Sequence, residues 1–141
     1  MLVLNNILKM NKEDLKLKLK KYNYKFKEQF EVVIVNLTPS LEVRIDYSEP
    51  DRIIISDKLI GYNVLTGVWS MSIKGSIIFN GIMSLVYALF FAFLIENTND
   101  HSFNLYFTFF FILGMSWIIL WTNYFHVKAE NFKTLIKSWD R

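Results

Sequence analysis

Two long stretches of this chain carry no charged side chain, and they constrain the fold more than any other feature. Ile77 to Ile95 reads IIFNGIMSLVYALFFAFLI, and Phe103 to Phe125 reads FNLYFTFFFILGMSWIILWTNYF. Between residues 75 and 125 the only acidic, basic or imidazole side chains are Glu96, Asp100 and His101, all in one short connector. As helices at about 1.5 Å per residue, the two runs reach about 28 Å and about 34 Å, close to the ~30 Å hydrocarbon core of a bilayer. The rest of a 141-residue chain has too little apolar surface to wrap two such helices on all sides. The expectation is an integral membrane protein with a transmembrane helical hairpin at 75–125. Its spans lie at about 77–95 and 103–125, and the connector is 96–102.

Charge sets the expected orientation. The connector has no Lys or Arg, whereas twelve precede the first span and Lys128, Lys133, Lys137 and Arg141 follow the second. Basic residues are retained on the cytoplasmic side. Both termini are therefore expected in the cytoplasm, at a bacterial inner membrane, with the connector outside. Trp69, Trp121, Tyr124 and Trp139, with Lys74, Lys128, Lys133 and Lys137, are the residues expected at the headgroup level, where an aromatic ring and a long basic side chain are both well placed.

Residues 1–74 are mixed and charged, and they read as a small α+β cytoplasmic domain. Asn11-Lys-Glu-Asp has the form of a helix start, a cap followed by acids in the first turn. Leu15, Leu19, Tyr22 and Phe26 follow at helical spacing, although LKLKLK also alternates with period two, so 11–27 is open between helix and strand, with a helix from 11 to about 21 the favoured reading. Phe30–Leu37 and Leu41–Tyr47 read as strands separated by the turn Thr38-Pro39-Ser40. Ser48-Glu-Pro-Asp breaks the pattern and Arg52–Ser56 resumes it. Ser56-Asp-Lys reads as a tight turn, with further strands at 59–64 and 68–73. The expected fold is one N-terminal helix with three to five antiparallel strands. Some 65 residues is marginal for an independent core, so the sheet should lean on the membrane surface, the tail or a partner. The order of elements resembles that of bacterial membrane proteins joining a small pleckstrin-homology-like β domain to a pair of spans. The likeness is one of architecture and implies no site.

Residues 126–141 form the cytoplasmic tail. Phe132, Leu135, Ile136 and Trp139 share one helical face, with Lys133, Lys137 and Arg141 opposite. This is a short amphipathic helix, suited either to the membrane interface or to docking on the β domain. Within the first span, Gly81, Ser84, Ala88 and Ala92 make a small-residue stripe that lets helices approach closely, either against the second span or at a seam with another subunit, including a second copy of the chain.

Few reactive constellations are present. The chain has no cysteine, which removes disulfides, thiolate metal sites and thiol nucleophiles. The two histidines, His101 and His126, fall on opposite sides of the expected membrane. No HExxH, Gly-rich phosphate loop or Ser-centred elbow occurs. Carboxylates 42, 46, 49, 51 and 57 fall on strand exteriors and turns, where a solvated face is the ordinary role. No catalytic, cofactor or metal site is expected. Eight lysines against two acids make residues 1–27 strongly basic. That run suits the anionic leaflet or a solvated helix face, and without arginines or a readout motif it does not point to nucleic acid. The function class expected is a membrane-anchored, non-enzymatic interaction protein: an accessory subunit, adaptor or immunity-type protein with a membrane or cytoplasmic protein partner. The alternative is a lipid-binding or membrane-state-sensing module using the basic helix and the tail.

Overall fold

A computed structural model describes residues 10–49, 52–97 and 101–139. The ambiguous N-terminal stretch is a helix, α1 (Lys12–Lys21), with Asn11 in extended conformation at its cap position. The Asn11 side chain makes no capping hydrogen bond, so the start is favoured instead by Glu13 and Asp14 against the positive end of the helix. The end is sharper. Asn23 sits at φ 57°, its N–H bonds to Lys20 O, and Tyr24 N–H reaches back to Leu19 O. This left-handed cap stops the helix, a role Asn tolerates better than most residues. The chain then becomes strand, so Phe26 joins the core from β1 (Lys25–Gln29) rather than from the helix.

Four antiparallel strands follow in the order β1-β2-β3-β4, with β2 at Val32–Thr38, β3 at Leu41–Asp46 and β4 at Ile54–Leu59. The number is within the expected three to five, but two boundaries differ. β1, a short charged edge strand KFKEQ, begins inside the stretch that the sequence leaves open between helix and strand. β4 runs straight through Ser56-Asp57-Lys58, pairing Ser56 with Arg44, Asp57 with Val43 and Lys58 with Glu42. In turn, residues 60–72 contribute only two isolated bridges, Leu59–Met71 and Asn63–Gly67, in place of two further strands.

One face of the sheet forms the core. Val33 and Val35 stand opposite Ile45 and Val43, and all four are fully buried. Leu15 and Leu19 of α1 close over them at i, i+4 spacing. The rest of the lid comes from the far end of the chain. α2 (Ile73–Asn97) and α3 (His101–Trp139) are two helices long and apolar enough to cross a membrane. At 39 residues α3 is about 58 Å long and extends well past the uncharged run. Its last turns place Phe132 and Ile136 in the same cluster as Val33 and Ile45, while Phe125 and Ala129 meet Leu41, Leu59, Leu65 and Ile73. The expected separate tail helix is thus the continuation of α3, and of its two alternatives, docking on the sheet is the observed one. The physical reason is area: the sheet needs an apolar cover, and burying a side chain such as Phe132 contributes about 1.5–3 kcal/mol.

Along their apolar parts, α2 and α3 meet each other through stacked rings. Tyr87 lies 5.4 Å from Phe107 and 5.7 Å from Phe111, and Phe91 lies 4.5 Å from Phe107. The opposite sides are bare, with side chains such as Leu85, Leu89, Leu105 and Phe109 more than half exposed.

Candidate functional site

A polar network lies at the junction where the sheet meets the two long helices. β4 ends at Leu59, whose N–H and C=O both bond to Met71, returning the chain to the start of α2. Ser72 caps that helix, its Oγ accepting from Gly75 N–H at 3.0 Å. Asp57 supplies a second acceptor. Its Oδ1 takes the Ile73 N–H at 2.9 Å, and its Oδ2 takes Lys133 Nζ of α3 at 2.8 Å. Lys133 also donates to Glu130 at 2.9 Å. One carboxylate therefore joins β4, α2 and α3.

Burial works against the charge on Asp57, yet the hydrogen bonds from Lys133 and from the Ile73 amide outweigh it and hold the carboxyl below its usual range. Burial likewise opposes the Lys133 ammonium, and its bonds to Asp57 and Glu130 overcome this and hold the amine above its usual range. Both groups stay ionised at neutral pH. The arrangement fastens elements together. Among the described residues no group of three or more His, Cys, Asp or Glu is placed to hold a metal.

The sequence pattern puts Asp57 in a tight turn, among carboxylates whose ordinary role is a solvated face. The missed signal is its phase. Ile55, Asp57 and Leu59 share one face of β4, and Asp57 stands on the core side opposite Val43. A charged residue in phase with apolar neighbours needs an internal partner. Of the other carboxylates, Glu42 is buried against Arg44 at 2.6 Å, Glu49 pairs with Arg52, Asp46 accepts from Ser48, and Asp51 lies outside the described residues.

The chain matches no family model, no curated protein and no solved structure. The site is therefore read from its own geometry.

The residues assigned to a headgroup-level belt divide into two groups. Trp69, Lys74, Trp121, Tyr124 and Lys128 gather around the start of α2 and the matching turns of α3. Trp69 lies edge-on to Phe79 at 5.2 Å, Trp121 packs on the Ile73–Phe125 cluster, and Lys128 sits 5.3 Å above the Tyr124 ring. Lys133, Lys137 and Trp139 belong elsewhere. Lys133 is only 9% exposed, held by Asp57. Trp139 stacks on Tyr22 of α1 at 5.2 Å, and its carbonyl accepts from Lys18 Nζ. Lys137 is half-buried on the same docked segment. These three lie on the segment of α3 that covers the sheet.

The small-residue stripe is divided as well. Ser84 lines an apolar groove of about 490 Å³ between the helices, facing Phe111 and Gly114, and Ala88 is half-buried. Gly81 and Ala92 are exposed, and a Cβ added at Gly81 would meet nothing. The rings of Tyr87, Phe91, Phe107 and Phe111 make the seam within the chain.

The basic run is also partly internal. Lys12 bonds Glu28 at 2.8 Å, and Lys16 bonds Glu13 at 2.8 Å and Glu28 at 3.0 Å. Lys20, Lys21, Lys25 and Lys27 are exposed, and Lys9 lies outside the described residues.

Proposed function

We propose that this chain is an integral membrane protein whose hairpin carries a cytoplasmic α+β body, and that it acts as a non-enzymatic interaction protein: an accessory subunit, adaptor or immunity-type protein. The observation that carries the reading is the continuity of α3. One uninterrupted helix is bare and apolar along its first part and closes the core of the soluble body with its last turns. A helix serving only as the core of a soluble protein would be covered, and the apolar runs of α2 and α3 are almost wholly uncovered. Monomeric soluble proteins rarely leave apolar patches larger than a few hundred Å² bare. Lipid is the medium in which such helices need no protein cover. The charge asymmetry supports both termini on the cytoplasmic side of a bacterial inner membrane, with the connector outside.

The interaction role rests on this coupling. A partner that displaces the spans acts directly on the helix that completes the body, and a partner on the body acts on the spans. Purification of the full chain in mild detergent tests it, with a stoichiometric membrane or cytoplasmic protein as the expected companion. A monodisperse chain that never retains a partner, and whose stability instead follows the anionic lipid content of vesicles, overturns it in favour of a lipid-sensing module. The full chain is needed, because residues 10–74 alone lack Phe132 and Ile136.

A further inference from the structure

We infer that the loop from Ile60 to Trp69 is a preformed wedge that inserts into the leaflet beside α2, its ligand being the lipid surface at the headgroup–acyl boundary. Loops are ordinarily excluded from that depth because their backbone polar groups need water. In this loop a buried side-chain network satisfies several of those groups from inside. Asn63, 5% exposed, occupies the centre. Its Nδ2 donates to Ile60 O and to Thr66 Oγ1, each at 2.7 Å. Its Oδ1 accepts from the Leu65 and Thr66 amides at 3.0 and 2.9 Å. The Asn63 and Gly67 backbones bond to each other in both directions. Thr66 Oγ1, itself buried, donates to Trp69 O at 2.6 Å.

The side chains on the outer surface of the loop are apolar or aromatic. Tyr62 is 89% exposed, Val68 61%, Trp69 55% and Val64 45%. Leu65 points the other way, into the cluster with Ile73 and Phe125, and anchors the loop to both long helices. Two residues hold positive φ, Tyr62 at 62° and Gly67 at 61°. A Cβ on Gly61 would fall 2.8 Å from Val68 O, so the turn closes tightly there. In water this display of Tyr, Val, Val and Trp has no stabilising role. The occupant follows from continuity with α2. The Trp69 ring touches Phe79, which lies two residues past the start of the uncharged run at Ile77. A loop whose ring reaches that level reaches the acyl boundary whenever α2 spans the bilayer.

The inference rests on the membrane reading above, and the experiment separates the two. Full-length chains each keep one tryptophan, with the others changed to Phe: Trp117 as native, Trp69 as native, a Tyr62→Trp variant, and a Phe30→Trp variant. Phe30 is 96% exposed at the β1–β2 turn, on the sheet end away from α2, and serves as the water-facing control. Each is reconstituted into phosphatidylcholine vesicles with plain or brominated acyl chains. The expected result is loss of emission with brominated lipid at 117, 69 and 62, and unchanged emission at 30. Quenching at 117 with none at 62 and 69 overturns the wedge while leaving the spans in place. No quenching at 117 overturns the membrane reading itself. Quenching at 30 equal to that at 62 also overturns the wedge, since the whole body would then lie in the leaflet.

Discussion

Replacing Lys133 with Met tests whether the Asp57–Lys133 pair fastens the body to the long helices. The substitution keeps most of the length of the side chain and removes the ammonium. Asp57 then keeps the Ile73 N–H but loses its charged partner at 2.8 Å, with its side chain only 19% exposed. Breaking a fully buried pair from one side costs about 3–5 kcal/mol, and a typical exposed pair is worth about 0–1 kcal/mol. This pair lies nearer the buried limit and retains some solvent, so the expected loss is about 2 kcal/mol. Asp57→Asn loses a similar amount. The double variant should lose less than the two singles combined, because it no longer leaves a charge unpaired. The assay is urea denaturation of the full chain in detergent, followed by circular dichroism of the body, with Lys137→Met as a control of the same type on the same segment. The pH dependence has two arms. The Asp57 carboxyl is held low, so its contribution is complete above the ordinary carboxylate range and fades as pH falls through the lowered value, below about pH 4. The Lys133 amine is held high, so its contribution is complete below the ordinary lysine range and fades as pH rises through the raised value, above about pH 10.5. A Lys133→Met loss no larger than that of Lys137→Met, together with an unchanged acid limb, would refute the reasoning.

Three further outcomes follow from the same structure. Phe132→Ala should destabilise the body by about 3 kcal/mol, since a large ring packed on Tyr24 and the sheet leaves a cavity; protease resistance of residues 10–74 within the full chain reads this out, and an unchanged cleavage rate would mean the end of α3 is not a core element. Gly61→Ala should cost about 1–3 kcal/mol through the contact with Val68 O and should loosen Trp69; wild-type stability would show that the loop relaxes freely. For orientation, a reporter active only outside the cytoplasm should work after Asn99 and fail after Arg141, and the reverse pattern would defeat the charge argument.

Some elements are legible without a structure because their signal is local. Helix formation over Ile77–Ile95 and Phe103–Phe125 follows from charge-free length. The strands around Val33–Val35 and Val43–Ile45 follow from β-branched content and alternation, which a pleated sheet demands of any chain. The first helix belongs with these: its expected span of 11 to about 21 ends where Asn23 takes the left-handed conformation, and Phe26, at the next helical spacing, falls in β1 instead. Other assignments depended on which surfaces meet. The apolar face of residues 125–139 suits a leaflet and a sheet equally well by composition, and only the uncovered face of Val33, Val35, Val43 and Ile45 decides between them. Asp57 reads as a turn residue until α3 brings Lys133 to it across 76 positions of sequence. The small-residue stripe is a property of α2 alone, whereas the seam depends on where Phe107 and Phe111 of the other helix fall. The division has a physical cause. Backbone hydrogen bonding and transfer free energy act on each segment by itself, so a run of residues is enough to determine them. The partner of a charge or of an apolar face is set by the competition among every surface the folded chain brings within reach.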